Sequence, residues 1–368
     1  MNRMKINTLS RARASRLIKP TRLQTMIQLA LLLAGTLLFT ACEKDPDPVN
    51  DHFPEIRPGE GAFIINEGNF QSGNASLGYY DKRAGKMYHE LFSQVNGEAL
   101  GDIFQSVTVV QDLAYLVVNN SGKIEVVDLF TLERQAVIGE LVSPRYLLPV
   151  GPEKAYVSDL FSGQVGIINL QSNTLVGQIP VMGWNEEMAM LSGMAVSAGA
   201  GTGHLYFIDP ATDQLTDSLW VGSSPVSLQK DAQGHLWVLC AGNWMNNSEA
   251  ALVQLSRENF QVLRTYMLPE IGQTYSALGV SPDGSTLYTI GDGIYQFNTQ
   301  DVNAEANLLI PADGRAFYGL SVDPDSGHIY VTDAVDFSQR GRILIFDADG
   351  SALEDEEAMY VPGGFYFF

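Results

Sequence analysis

Cysteine is nearly absent from this 368-residue chain. Only Cys42 and Cys240 occur, too few for the disulfide framework of a small secreted scaffold. Cys240 lies in the apolar run HLWVLCAG and reads as a small core residue, not a nucleophile. Histidine is scarce as well. His52, His89, His204, His235 and His328 never pair at metal-ligand spacing. Three of them precede strands, as GHLY, GHLW and GHIY, so turn positions are expected and a metal site is not. DADGSALEDEE, from Asp347, half-resembles a calcium loop. It lacks the ligand spacing and sits at a hairpin turn, where Asp-Gly is the ordinary choice. There is no G-x-S-x-G elbow and no Gly-Lys-Ser/Thr phosphate loop. Glu186–Glu187 could serve acid–base chemistry, but adjacent carboxylates on an acidic chain point to nothing alone. The expectation is a protein that is not an enzyme, with no catalytic residues and no resident cofactor.

Positive charge runs short after the leader. The first 41 residues hold seven basic side chains (Arg3, Lys5, Arg11, Arg13, Arg16, Lys19 and Arg22) and no acid. The rest carries 15 basic against 42 acidic residues, a balance of −27. Such a surface repels phosphate backbones, so no nucleic acid is expected as a partner. Long apolar runs are missing too. MIQLALLLAGTLLF, Met26 to Phe39, is 14 residues long and interrupted by Gln28, too short to cross a bilayer. A basic start, a short apolar run and small residues before a cut site are the layout of a secretory signal. LLFTAC resembles a bacterial lipobox, which implies a signal peptide at 1–41 and lipidation at Cys42. Cys240 then has no partner. Residues 42–58, the lipidated Cys and the acidic, proline-rich EKDPDPVNDHFPEIRP, read as an extended linker. Acids directly after the Cys resemble the surface-export signal of Bacteroidetes lipoproteins. That implies a lipid anchor in the outer membrane facing the cell exterior, with a periplasmic tether as the alternative.

What the sequence has in abundance is one repeated pattern. KAYVSDLF (from Lys154) has relatives in GAFIINEG, LAYLVVNN, GMAVSAGA, HLWVLCAG, TLYTIGDG and HIYVTDAV, which place Phe63, Tyr115, Tyr156, Val196, Trp237, Tyr288 and Tyr330 at equivalent points. Most steps are 40 to 42 residues; those after Phe63 and Trp237 are 52 and 51 and carry insertions. Calling these segments strand b, each is followed by a strand c and a strand d, such as KIEVVDL and RQAVIGE. Several c segments end in Asp or Asn before a turn. Strand a precedes b only six times, from QSVTVVQ to FYGLSVDPD. The first repeat lacks it, and GGFYFF at the C-terminus supplies the seventh. The d segment of the first repeat is read as KMYHELF. Seven four-strand units closed by the last strand describe an all-β, seven-bladed β-propeller over residues 59–368.

A propeller has two rims. The one carrying the a–b and c–d loops has mostly short turns, with Phe130 and Phe260 its exceptional aromatics. The other carries longer loops with Asn69, Phe70, Asn120, Arg145, Tyr146, Phe161, Trp184, Asn185, Trp244, Asn246, Tyr275, Arg315, Tyr318 and Phe337. Aromatics among amides give contact area with adaptable hydrogen bonding, so these are the candidate ligand-binding residues. Roughly a third of the rings on this rim are expected to fill the core instead.

YVSDL and IYVTDA resemble the repeats of YncE-like propellers. NEGNF, NASLGYYD, VNGEALGDIFQSV, VVNNSGKIEVVD, SPRYLLP, KAYVSDLFSGQVGIINL and VPGGFYFF together resemble a Bacteroidetes family of surface propeller lipoproteins that includes the BtuG-type proteins. The resemblance implies capture of cobalamin or another corrinoid and transfer to a TonB-dependent outer-membrane transporter, by a protein otherwise monomeric. A siderophore, a glycan or a protein partner remain alternatives, as does a lactonase or lyase on the same scaffold. For an anionic siderophore, Arg145 and Arg315 would have to form a local basic pocket.

Overall fold

The computed structural model describes residues 53–368 except 243, 244, 246, 270–274 and 302. The segment read as a signal peptide, residues 1–41, Cys42, most of the segment read as a linker, Trp244 and Asn246 lie outside the described residues. Residues Phe53–Phe368 form one compact unit. Among the described residues no helix is long and apolar enough to cross a membrane.

The chain makes seven antiparallel four-stranded sheets. Blade 1 combines β1 (Gly61–Asn66), β2 (Ser76–Asp81) and β3 (Lys86–Tyr88) with the C-terminal β28 (Pro362–Phe367). Blade 2 is β4 (Phe104–Val110), β5 (Leu113–Val118), β6 (Lys123–Asp128) and β7 (Arg134–Ile138). Blade 3 is β8 (Pro144–Gly151), β9 (Lys154–Asp159), β10 (Gln164–Asn169) and β11 (Thr174–Pro180). Blade 4 is β12 (Met188–Leu191), β13 (Met194–Gly199), β14 (His204–Asp209) and β15 (Gln214–Trp220). Blade 5 is β16 (Pro225–Lys230), β17 (Leu236–Cys240), β18 (Ala251–Leu255) and β19 (Val262–Met267). Blade 6 is β20 (Ser276–Val280), β21 (Thr286–Ile290), β22 (Gly293–Asn298) and β23 (Asn307–Pro311). Blade 7 is β24 (Phe317–Val322), β25 (Ile329–Asp333), β26 (Arg340–Phe346) and β27 (Ala352–Tyr360). The ring closes as the sequence indicates: β28 pairs with β1, Phe63 opposite Tyr366 and Ile64 opposite Phe365.

Burial follows position in the blade. The second strands are covered on both faces by neighbouring blades, so LAYLVV and LWVLC are buried almost throughout and read as continuous apolar runs. The outermost strands face water on one side or both, and TLVGQIP alternates exposed and covered positions. Seven apolar clusters occur among the described residues, one in each cleft between adjacent blades. The inner strands neighbour one another from β4 through β8, β12, β16, β20, β24 and β28, and β28 returns to β4. At the c–d turns, Asp128 accepts the Phe130 and Thr131 N–H groups at 2.9 and 2.8 Å, and Asn169 holds Gln171 and Ser172 likewise.

One element departs from the sequence reading. KMYHELF is not a single strand. β3 stops at Tyr88, and Leu91–Asn96 form the helix α1. The adjacent Leu91 and Phe92 are both buried in the cleft between blades 1 and 2, which a strand, with side chains alternating in direction, would not achieve. This helix accounts for much of the longer first repeat.

Candidate functional site

The inner strands carry a feature that pattern reading does not show. In blade 2, Phe104 faces Val118 and Ser106 faces Val117, so Gln105 is bulged out of register. In blade 3, Arg145 and Tyr146 lie between the pairs Pro144–Asp159 and Leu147–Val157. Blades 5 and 6 bulge at Val226 and Ala277, blade 7 at Tyr318 and Gly319, and blade 1 at Gly363. In blade 4, Ala198 exchanges backbone hydrogen bonds with both Glu186 and Glu187, at 2.8 and 2.9 Å. A bulge re-aims the extra residue. Every blade therefore turns side chains or backbone into the mouth of the axial channel, on the rim of the b–c and d–a loops.

The result is a cavity of about 420 Å³ with Glu67, Gln105, Arg145, Tyr146, Glu187 and Tyr318 among its walls. Arg145 grips Glu186 with both prongs, Nε to Oε2 at 2.8 Å and Nη2 to Oε1 at 2.9 Å. Its Nη1 donates to Gln105 Oε1. Trp184 Nε1 donates to Glu186 Oε1 at 2.5 Å, so a rim indole is wired into the channel pair. The Tyr318 hydroxyl donates to Glu67 Oε2 at 3.1 Å. Glu187 Oε2 accepts from the Ser227 hydroxyl at 2.9 Å and the Leu228 N–H at 2.8 Å. Burial pushes Glu67 up to about 7, against the pull of Tyr318 and Arg145. Burial does the same to Glu187, also to about 7, against its two donors. Burial raises Tyr146 and Tyr318 as well, which keeps both neutral. Gly363 makes room for this set: a Cβ there would meet Glu67 Oε1 at 2.5 Å and Cγ at 2.8 Å.

Around the mouth stand exposed apolar side chains. Phe161 is 75% exposed and Trp184 44%, and Phe70, Met182, Met245 and Phe337 are exposed on the same loops. Phe337 packs edge-on against Tyr318 with centroids 5.2 Å apart, linking the ring to the channel. Its loop is held in left-handed backbone at Val335 (φ 56°) and Phe337 (φ 60°). Asp333 Oδ1 fixes it by accepting the Val335 and Ala316 N–H groups. A β-branched residue in that region is strained, so the turn presenting Phe337 is built rather than slack.

The residues singled out from sequence fall into three places. Arg145, Tyr146 and Tyr318 line the channel, and Tyr275 borders it while remaining fully buried. Phe70, Phe161, Trp184 and Phe337 stand on the rim. Asn69, Asn120, Asn185 and Arg315 mainly serve the loops. Asn69 Nδ2 donates to the Phe337 carbonyl at 2.5 Å, and Asn120 Nδ2 to Asp102 at 2.6 Å. Asn185, read as a contact residue, is fully buried, with Nδ2 on the Gly183 carbonyl and Oδ1 receiving the Ser197 hydroxyl. Arg315 lies outside the channel beside Asp355 and Asp333, at 3.4 and 3.9 Å, while Arg145 is bound to Glu186 inside it. The two arginines do not form a basic pocket. Of the aromatics on this rim, Phe104 and Tyr275 are core. Glu67, Gln105 and Glu187 were not singled out as contacts, although Glu67 stands in NEGNF and Glu187 in the acidic pair.

Residues 60–367 match the family described as Domain of unknown function (DUF5074), and the chain belongs to that family. No curated protein matches. Solved structures share the fold. A quinonprotein alcohol dehydrogenase-like protein of Bacteroides thetaiotaomicron superposes with TM-score 0.67 at 16% identity, over 84% of this chain and 78% of that one. A Bacteroides fragilis protein described as a candidate 6-phosphogluconolactonase gives 0.63 at 14%, over 88% and 100%. Hydrazine synthase of Kuenenia stuttgartiensis gives 0.60 at 14%, over 70% and 87%. At these identities the likeness concerns the fold alone.

Proposed function

We propose that this DUF5074 propeller is a non-enzymatic binding protein that captures a corrinoid on the rim of its b–c and d–a loops. It acts from a lipid anchor at Cys42 on the outer membrane and passes its ligand to a TonB-dependent transporter. The observation that carries the reading is the ring of exposed Phe70, Phe161, Trp184, Met245 and Phe337 around a polar channel mouth. Exposed apolar surface rimmed by polar groups marks an interaction site. A corrin is broad, apolar on its faces and fringed with amides, which suits rings in contact with its face and loop amides at its edge. The resemblance of NEGNF, SPRYLLP and VPGGFYFF to a family of surface propellers that includes cobalamin-capturing members supports this ligand class. An anionic siderophore fits less well, because Arg145 and Arg315 are each already beside carboxylates. The channel, at about 420 Å³, is too small to swallow a corrin, so the ring rests over it.

The test is co-elution. The purified protein is mixed with cyanocobalamin and passed through a gel-filtration column. Corrin absorbance is expected to travel with the protein and to leave it when Phe161 and Trp184 are both replaced by Ala. Absorbance confined to the small-molecule fractions defeats the corrinoid reading.

A further inference from the structure

The channel has a charge imbalance that the rim reading does not use. Its cation, Arg145, directs Nε, Nη1 and Nη2 to Glu186 and Gln105. That pair is neutral as a unit. Glu67 and Glu187 remain, each held by neutral donors: a tyrosine hydroxyl for one, a serine hydroxyl and a backbone N–H for the other. A carboxyl group walled by protein is stabilised by a proton or by a cation, and seldom stays charged alone. Here two such groups border open volume, with the aromatic walls of Tyr146 and Tyr318.

We propose that the axial channel is a second ligand site, separate from the rim, which takes the ammonium head of a small organic amine between Glu67, Glu187 and the tyrosine rings. The class follows from the chemistry. An anion would meet carboxylates with no unpaired arginine to receive it. Among the described residues no group of three His, Cys, Asp or Glu side chains converges as metal ligands, whereas an ammonium with a short carbon tail can span separated acceptors. The volume, about 420 Å³, has room for a small amine. The site is independent of the corrinoid reading and stands or falls separately.

Binding is proton-linked. The groups facing the site are Arg145 and Tyr146 from blade 3 and Glu186 and Glu187 from blade 4. Tyr318 from blade 7 and Glu67 and Tyr366 from blade 1 complete them. Burial raises Tyr146, Tyr318 and Tyr366, so these stay protonated. Glu67 and Glu187 change charge near pH 7. The amine selects their ionised forms, so affinity rises with pH and protons are released on binding.

The experiment is calorimetric titration of the purified protein with n-butylammonium chloride at pH 6 and pH 8, with sodium butyrate as the opposite charge. Butylammonium is expected to bind about tenfold more tightly at pH 8, or more if both carboxyls respond. The heat should depend on buffer ionisation enthalpy, reporting proton release. Glu67→Gln and Glu187→Gln keep the side-chain shape and their donors, and each is expected to lower the affinity at pH 8 at least tenfold. Thermal melts confirm that each variant is folded, and Tyr318→Phe, expected to weaken binding through Glu67, covers the case in which one Gln variant is not. No binding at pH 8, equal affinity at both pH values, tighter binding of butyrate, or Gln variants that bind as the parent does would each overturn the proposal.

Discussion

At the scale of single residues, the channel carboxyls leave a mark on stability. Glu67 and Glu187 sit at about 7 in the folded chain, above an ordinary glutamate, so the folded state holds more protons than the unfolded one between these values. Their contribution is full below about pH 4.5 and is lost as pH rises through 7. The parent protein is therefore expected to melt roughly 5 °C lower at pH 8 than at pH 5.5. A Glu67→Gln, Glu187→Gln double variant should match it at pH 5.5 and melt higher at pH 8, measured by differential scanning calorimetry. His89, which burial lowers, tilts the curve the other way but does so equally in both proteins. A parent and double variant that follow one curve would show these carboxyls to be ordinary. Arg145 and Tyr318 were legible as rim candidates, but the set as a whole forms no motif in the sequence. Glu67, Gln105, Arg145, Glu187 and Tyr318 come from different blades, about one repeat or more apart, and only ring closure joins them. Glu186 and Glu187 were visible as a pair, but adjacency does not reveal that one meets Arg145 and the other Ser227.

At the scale of elements, the strands were legible because each blade repeats one physical pattern. A strand covered on both faces reads as LAYLVV, and an outer strand alternates. The bulges were not legible, since register is a property of two strands together and no single segment displays it. Nor was α1, whose six residues LFSQVN are too few for a helical period to show. The bulge in β28 yields a direct prediction. Gly363→Ala places a methyl group against Glu67 Oε1 and Cγ. It is expected to destabilise the protein by about 1–3 kcal/mol and to shift the pH at which Glu67 titrates. Chemical denaturation and carboxyl-selective NMR titration measure the two effects. An unchanged midpoint with an unchanged titration would mean that Glu67 is not held against β28.

At the scale of the whole molecule, closure is what converts seven similar units into one site. Deleting residues 362–368 removes β28, bares the hydrogen-bonding edge of β1 and opens the clusters shared by blades 1, 2 and 7. An unpaired strand edge beside exposed core invites association. Size-exclusion chromatography is expected to show aggregate or no soluble protein, and a monomer with native circular dichroism would contradict the role given to β28. The same closure sets the exposed aromatic ring around the channel, and that ring is the centre of the functional account. It is tested most directly by one matched calorimetric comparison with cyanocobalamin. The rim variant Phe161→Ala, Trp184→Ala, Phe337→Ala is set against Phe130→Ala, an exposed ring on a c–d turn at the opposite rim. The account predicts that the rim variant loses at least a hundredfold in affinity, about 2.7 kcal/mol, while Phe130→Ala binds as the parent does. Equal affinity in both variants, or a loss confined to Phe130→Ala, would contradict it.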